Sequence, residues 1–252
     1  MRNLAQRSTL VLLLALGAMG ATAQVVNIEG RRFMNDTVPW SGFVDLRFNV
    51  AENTQRSSNF GLGGAVQHVR GKHRWFFIND LTLNRVEANA FQNTGFQHLR
   101  YNYARDRMWT GEAFVQTQYN KPLALDFRLT IGAGPRLRLV NEGSYKVHIG
   151  TALMFEQESI TNGPSFGAGR SSSYLSATAN FTPVVGLSTV LYYQPRLFDA
   201  SDHRVALETG LLLRFAERFT FESRLNLLKD TGQPEGIPQL SYTWNNRFGF
   251  RF

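Results

Sequence analysis

The stretch that decides the fold is "SYTWNNRFGFRF", Ser241–Phe252. With one exception, Asn246, its alternate positions are aromatic, and these positions are Tyr242, Trp244, Phe248, Phe250 and Phe252. Because successive side chains of a strand point to opposite faces, the segment has one aromatic face and one polar, cationic face. The pattern predicts either a half-buried strand of a soluble β domain or the closing strand of a membrane barrel.

Alternation with a period of two continues through most of the chain, and helical periodicity is scarce. In residues 143–156, for example, Tyr145, Val147 and Ile149 alternate with Lys146 and His148. The pattern predicts about twelve strands, an even number as in single-chain bacterial barrels. Their expected spans are 40–50, 59–70, 73–84, 96–105, 108–120, 122–134, 143–156, 170–181, 185–194, 204–215, 219–228 and 239–252. The third strand alternates cleanly only if a β-bulge near Asn79 resets its faces.

The first 23 residues have the pattern of a secretory signal peptide. Two arginines precede the apolar run 10–18, which is too short to cross a bilayer as a helix. The small residues Ala21 and Ala23 then predict cleavage before Gln24. We expect residues 24–39 to form a periplasmic lead-in and residues 40–252 to form one β domain.

The composition narrows the class of protein. The sequence has no cysteine, so disulfides play no part in its stability despite the exported context. Its net charge of +8 suits an anionic partner, and export argues against nucleic acid as that partner. A hydrophobic fraction of 43% is compatible with a membrane barrel, because barrel strands dilute apolar residues with polar ones.

The links between the expected strands differ in length at the two ends of the domain. Links after odd-numbered strands are mostly long, as in 85–95 and 157–169, and links after even-numbered strands are mostly short, as in 71–72 and 106–107. The links at 120–121 and 135–142 depart from this rule. Long loops at one end and tight turns at the other are typical of outer-membrane barrels.

The polar face carries charges of both signs, which we expect to line the lumen of a barrel. These residues are Asp45, Arg47, Glu112, Asp126, Arg128, Glu208, Arg214, Glu222 and Arg224. Aromatic residues near strand ends match the girdles of a membrane barrel. They are Trp40, Trp109, Tyr119, Tyr145, Tyr193, Tyr242 and Trp244. The predicted fold is therefore all-β, an antiparallel up-and-down transmembrane β-barrel of about twelve strands.

The closing segment resembles the C-terminal signature of bacterial outer-membrane proteins, a final Phe preceded by alternating aromatic or apolar residues. More narrowly, the chain resembles the YdiY-like family of salt-induced outer-membrane proteins. The similarity rests on "QVVNIEGRR", "NFGLGGAVQHVRGKHRWFFINDLTLNR", "LRYNYARDRMWTGEAFVQTQYN" and "LTIGAGPRLRL". The resemblance implies residence in the outer membrane and recognition of the last strand by the barrel-assembly machinery. It implies no catalytic residue.

Candidate chemical motifs are weak. "GPSFG", 163–167, fits a nucleophile elbow around Ser165, but no helix is expected after it. His98 and His148 fall on the polar face, and Asp199 and Asp202 lie in an expected extracellular loop without a calcium motif. We therefore expect no catalytic, cofactor or metal site. Six basic residues are expected at the extracellular rim, where they would contact lipid phosphates, including those of lipopolysaccharide. They are Arg56, Lys121, Arg170, Arg196, Arg204 and Lys229.

The sequence thus favours an outer-membrane barrel that is either a narrow polar pore or a stress-associated envelope protein. Two alternatives stay open at this point. One is an outer-membrane lipid hydrolase that uses a histidine as its base. The other is an exported soluble β domain that binds a lipid or another ligand.

Overall fold

The computed structural model describes residues 38–52, 56–86, 90–215, 219–233 and 236–250. Within them the chain forms twelve strands and one short 3₁₀ helix, Lys121–Leu123. The strands are β1 Trp40–Glu52, β2 Arg56–Arg70, β3 His73–Val86, β4 Ala90–Ala104, β5 Trp109–Asn120, β6 Leu125–Glu142, β7 Tyr145–Ile160, β8 Ser165–Asn180, β9 Val185–Arg196, β10 Asp199–Arg214, β11 Phe219–Asp230 and β12 Leu240–Phe250.

All twelve strands belong to one sheet, and their order in the sheet is their order in the chain. Every neighbouring pair is antiparallel, as short links between consecutive strands require. The predicted fold class, all-β with twelve antiparallel up-and-down strands, is confirmed. In the part of the chain that the structure describes, no helix is long and apolar enough to cross a membrane.

Tight turns follow the even-numbered strands. Gly71 and Gly143 take left-handed backbone conformations, with φ of +59° and +51°, which glycine adopts without steric cost. In the link between β4 and β5, the Asp106 carboxylate accepts hydrogen bonds from the backbone N–H groups of Met108 and Trp109, both at 2.8 Å. These two bonds hold the pKa of Asp106 below its ordinary value.

The predicted difference in link length between the two ends is wrong for most links, although the link 231–239 between β11 and β12 is long as predicted. β7 continues to Ile160 and β8 begins at Ser165, so most of the expected long loop 157–169 is paired strand. β9 and β10 likewise leave only residues 197–198 between them. The polar residues there belong to the same alternation as the rest of each strand, and backbone pairing does not require them to be apolar. Link length therefore gives no support to the membrane assignment.

No bulge near Asn79 resets the faces of β3, because β3 pairs with β2 and β4 in unbroken register from His73 to Val86. Asn79 instead lies on the apolar face and is satisfied there by its neighbours. Its Nδ2 donates to the carbonyl oxygen of Leu62 at 3.1 Å, and its Oδ1 accepts from Gln97 Nε2 at 3.2 Å. The irregular positions in the sheet lie elsewhere, at 118–120, 125–127, 138–140 and 199–203.

The burial of the two faces is the reverse of a soluble protein's. The apolar face lies outside, where Leu153 and Phe155 are 66% and 52% exposed. The polar face lies inside, where the neighbouring Glu156 is 2% exposed. Small apolar clusters also lie inside, such as Phe76 and Ile78 on β3. The sheet thus encloses charge and presents aliphatic and aromatic side chains to its surroundings.

Candidate functional site

The enclosed face holds two groups of charged side chains at different heights along the strands. The end of the sheet where links follow odd-numbered strands is called here the odd-link end, and the opposite end the even-link end. The odd-end cluster lies towards the first of these and contains Arg128, Glu156, Glu158, Arg170, Asp202, Arg204 and Asp230. The middle cluster contains His98, Arg100, Glu112, Arg136 and Tyr174.

Arg204 on β10 is the hub of the odd-end cluster. Its Nε donates to Asp230 Oδ2 at 2.7 Å, and its two terminal nitrogens donate to Glu156 Oε2 and, at 3.1 Å, to Glu158 Oε2. Both glutamates belong to β7, three strand spacings away, or about 14 Å on a flat sheet. Two side chains span that gap with a direct hydrogen bond only because the sheet curves strongly around them.

Two further arginines complete this cluster. Arg170 on β8 is 1% exposed, and it donates to Glu156 Oε1 at 3.2 Å and to Asp202 Oδ1 at 2.7 Å. Arg128 on β6 donates to Glu158 Oε2 at 2.7 Å. Three arginines therefore pair with four carboxylates inside the sheet, and Arg196 lies 3.6 Å from the fourth of these, Asp202. Charges so buried are tolerated only when they are paired and hydrogen-bonded, as these are.

The middle cluster also reaches across strands. Glu112 on β5 accepts a hydrogen bond from Tyr174 Oη on β8 at 2.8 Å and another from Arg100 at 3.2 Å. Arg136 on β6 donates to the same Tyr174 oxygen at 3.1 Å. Together the two clusters place bulky polar side chains across the interior at successive heights.

Eight of the nine residues predicted to line a lumen lie on the polar face of their strands, and Asp126 lies at the irregular position between Leu125 and Phe127. The structure connects several of the nine. Arg224 donates to Glu222 at 2.8 Å and to Glu208 at 3.3 Å. Arg47 lies 3.6 Å from Asp45 and donates to Asp80 on β3 at 3.2 Å. Four of the predicted residues join other groups or stand apart. Glu112 and Arg128 belong to the two clusters above, Asp126 accepts hydrogen bonds from Lys121 and Thr161, and Arg214 is exposed near the even-link end of β10.

Sequence reasoning misplaced the most buried charges. Arg170 and Arg204 were expected at an extracellular rim, and the structure places both inside the odd-end cluster. Their strands begin earlier than the apolar pattern indicates, so these arginines fall on paired, inward positions rather than in loops. Parity along β8 and β10 could have found them, since Arg170 shares a face with Ser172 and Tyr174, and Arg204 shares a face with Glu208.

The residues weighed for catalysis do not assemble into a site. Ser165 shares a hydrogen bond of 2.7 Å with Ser159, which is not a base. Both ring nitrogens of His98 are engaged, Nε2 with Arg100 at 3.3 Å and Nδ1 with Gln116 at 3.2 Å. Among the described residues, no group of three or more His, Cys, Asp or Glu side chains is arranged to hold a metal ion.

The closing segment forms the last strand of the sheet. β12 pairs with β11, and Tyr242, Trp244 and Phe248 are strongly exposed on the outer face. The indole nitrogen of Trp244 donates to Ser223 Oγ at 2.8 Å. The backbone of Phe250 pairs with that of Phe219. Phe252 and the expected cleavage residues Ala21, Ala23 and Gln24 lie outside the described residues.

The family described as "Protein of unknown function, DUF481" matches residues 44–252. The chain belongs to this family. The match covers every strand but the start of β1, and it confirms the resemblance to YdiY-like proteins seen in the sequence. A comparison with curated protein sequences found no match.

The chain is similar to several solved structures at low sequence identity. The NanC porin is 11% identical, with 83% of this chain and 100% of that chain covered and a TM-score of 0.48. The KdgM porin in complex with disordered oligogalacturonate is 9% identical, with 84% and 99% covered and a TM-score of 0.41. The translocator domain of the autotransporter NalP from Neisseria meningitidis is 10% identical, with 89% and 91% covered and a TM-score of 0.43. Because these similarities are distant, no ligand or transport property of those proteins is assigned to this chain.

Proposed function

We propose that the protein is an integral β-barrel of the bacterial outer membrane whose polar interior is narrowed by ion pairs. The observation that carries the proposal is the reversed burial of the two faces. Arg170 on β8 is 1% exposed on the inside, while Leu153 on the neighbouring strand β7 is 66% exposed on the outside. An apolar outer band around a polar interior is the arrangement that a lipid bilayer stabilises.

A soluble β sandwich would show the opposite arrangement. Its apolar faces would pack against each other and its charged faces would meet water. Monomeric soluble proteins rarely expose apolar patches larger than a few hundred Å². The outer face here carries exposed apolar or aromatic side chains on strand after strand, including Phe48, Phe77, Ile131, Leu191 and Tyr242. Bilayer lipids, lipopolysaccharide among them, are the proposed partners of this surface.

The exposed aromatic residues also fit a membrane position. Trp109 and Tyr145 lie at the even-link end of the outer face, and Tyr193 lies towards the odd-link end. Aromatic girdles at the two membrane interfaces are typical of outer-membrane barrels. A signal peptide ending at Ala23 would bring the chain to the periplasm. The alternating aromatic face of β12 is the proposed recognition element for the assembly machinery.

The interior favours a narrow passage. About twelve strands enclose more space than an eight-stranded barrel, whose side chains just fill it, and less than a porin of sixteen. Here the two clusters join β5 to β8 and β7 to β10 through direct hydrogen bonds. We therefore propose that the resting protein conducts few or no ions. Water and small polar solutes are the largest molecules that it would let through.

Conductance in planar lipid bilayers tests this proposal. The wild type is compared with Arg204→Ala, which removes the hub of the odd-end cluster, and with Arg214→Ala as a matched control. Both arginines lie on the enclosed face of β10, but only Arg204 is buried among carboxylates. We expect small or no single-channel steps in the wild type and the control, and larger steps in Arg204→Ala. Large steps in the wild type would contradict a constricted interior, and failure to insert at all would contradict the membrane barrel.

A further inference from the structure

A recess in the wall of the interior lies between the odd-end cluster and the middle cluster. Members of both clusters line it, among them Glu112 and Arg204, together with neutral side chains. Its described lining residues belong to β4 to β10, so the recess occupies one side of the interior. It offers about 50 Å³ of space to the centres of water-sized molecules, and one water needs about 10–15 Å³ of such space. The recess therefore has room for more than a single water molecule.

Gln118 on β5 is the lining residue that points most directly to a ligand. Its side chain is buried, with 5% of the residue exposed, and its Oε1 accepts no hydrogen bond from any described residue. A buried polar atom without a partner is costly, and native proteins keep few of them. This oxygen therefore predicts a bound molecule that donates a hydrogen bond to it.

The charged groups of the lining are already paired with one another or with their neighbours. Arg100 donates to Glu112 at 3.2 Å, and Arg128 donates to Glu158 at 2.7 Å. Arg204 donates to three carboxylates. An anionic ligand would have to displace one of these carboxylates, and a cationic ligand would have to displace an arginine. The recess therefore favours a neutral molecule.

The neutral polar part of the lining consists largely of amides and hydroxyls. Each of these groups both donates and accepts hydrogen bonds, as the hydroxyl groups of a ligand also do. The pairing of Gln194 Nε2 with Ser172 Oγ at 3.0 Å already shows one such contact within the protein. The five residues that supply these groups are Gln116, Gln118, Gln194, Thr130 and Ser172.

Aromatic rings supply apolar surface in the same lining. Phe114 lies on β5, Tyr174 on β8 and Tyr192 on β9, and the ring centroids of the two tyrosines are 5.3 Å apart. Apolar rings pack against C–H groups, while a few polar groups fix the orientation of a ligand. A molecule with C–H faces and hydroxyl edges matches both kinds of surface.

We propose that the recess binds a neutral, hydroxyl-rich molecule no larger than a monosaccharide, with Gln118 accepting a hydrogen bond from one of its hydroxyls. The ligand enters from the opposite side of the interior, where the side chains of Arg47 and Arg224 are 49% and 39% exposed to water. The proposal rests on the enclosed polar interior of the proposed barrel, and it holds whether or not the barrel conducts ions.

Saturation-transfer difference NMR on the purified protein tests this site, with glucose and glycerol as probes. The micelles are made of lauryldimethylamine oxide, which carries no sugar headgroup that would compete. The variant is Gln118→Met, which keeps the length of the side chain and removes its amide. The control is Asn226→Leu, which removes an amide from the enclosed face of β11, outside the recess. Heat-modifiable mobility on gels checks that all three proteins are folded alike.

We expect saturable binding of glucose or glycerol by the wild type and by Asn226→Leu. The affinity of Gln118→Met should be about three- to tenfold weaker, the effect of one lost neutral hydrogen bond. Glucuronate, which differs from glucose by one carboxylate, should bind at least about tenfold more weakly than glucose, because its charge would be buried without a free partner. The urea midpoint of the ligand-free protein should not fall in Gln118→Met, since the change removes a buried polar atom that has no partner.

A wild type that shows heat-modifiable mobility but binds neither probe would mean that the recess holds only water, and it would refute this proposal while leaving the barrel intact. Equal affinity in Gln118→Met, an equal loss in Asn226→Leu, or tighter binding of glucuronate than of glucose would each overturn it as well. If Gln118→Met does not fold, Gln194→Met takes its place with the same expected loss of affinity, because it removes another amide of the lining.

Discussion

Replacing Arg204 with alanine tests whether the interior is packed or filled with water. The guanidinium of Arg204 bonds to Asp230, Glu156 and Glu158, and its side chain is 4% exposed. Charged hydrogen bonds contribute about 1.5–3 kcal/mol each, so a simple sum over three would reach about 4.5–9 kcal/mol. That sum overestimates the effect, because Glu156 and Glu158 keep contacts with Arg170 and Arg128.

Asp230 is the carboxylate that suffers most. Its side chain is 4% exposed, and without Arg204 its remaining bonds come from the backbone N–H of Gly232 at 3.0 Å and from Gln233 at 3.3 Å. Removing one partner of a buried ion pair costs about 3–5 kcal/mol. We expect Arg204→Ala to lower the free energy of unfolding by about that amount, and Arg214→Ala to change it by less than about 0.5 kcal/mol.

Urea unfolding in lipid vesicles, followed by tryptophan fluorescence, measures both variants. A solvated ion pair contributes only about 0–1 kcal/mol. A loss within that range for Arg204→Ala would mean that water fills the space around the cluster, and it would refute the constricted interior. The combined variant Arg204→Met, Asp230→Asn sharpens the test. Because it removes both charges of one pair, we expect it to be more stable than Arg204→Ala.

Three further predictions follow from particular positions. Leu225→Arg places a charge on the outer face and should destabilise the protein by about 2–4 kcal/mol in vesicles. Its control, Asn226→Arg, lies on the enclosed face opposite Glu208 and should be tolerated. Equal losses of stability in the two variants would contradict the assignment of the faces. Gly134→Ala would bring a Cβ to 1.9 Å from the carbonyl oxygen of Thr151 and should lower the free energy of unfolding by at least about 1–3 kcal/mol. A Cβ at Gly111 would meet nothing within 4 Å, so Gly111→Ala serves as the control in the same unfolding assay. Asp106→Asn should lower stability near neutral pH, because a carboxyl whose pKa is lowered in the folded state stabilises it above the unfolded pKa of about 3.8. The difference from the wild type should vanish as the pH falls through the lowered pKa of the folded state, and a difference that persists in acid would show that charge is not its cause.

The sequence was sufficient to predict the strands because alternation is a local signal. Ile149, Leu153 and Phe155 share one face of β7, opposite Lys146, His148 and Glu156, and the strand presents them outwards as that pattern predicts. The ends of the strands were not predictable in this way. Residues 157–160 and 165–169 are mostly polar or small, yet they are paired strand in the structure. Hydrogen bonds between backbone groups can extend a strand whatever its side chains are. The pattern of apolar residues therefore does not indicate where the pairing ends.

The ion-pair clusters were only partly predictable for a related reason. Parity along a strand indicates that Glu112, Arg128 and Glu222 point away from the apolar face. It does not indicate that Glu156 on β7 meets Arg204 on β10, because that contact depends on how strongly the sheet curves. Curvature arises from the whole sheet. The sequence therefore indicates on which face a charged residue lies, but only the three-dimensional structure shows which residue it pairs with.

The central claim is that the sheet forms a closed barrel in the outer membrane, with its apolar face against lipid. Heat-modifiable mobility on detergent gels, run on the isolated outer-membrane and periplasmic fractions, tests it most directly. The account predicts a band in the outer-membrane fraction alone that migrates differently before and after boiling. A band in the soluble periplasmic fraction that does not shift on boiling would contradict it.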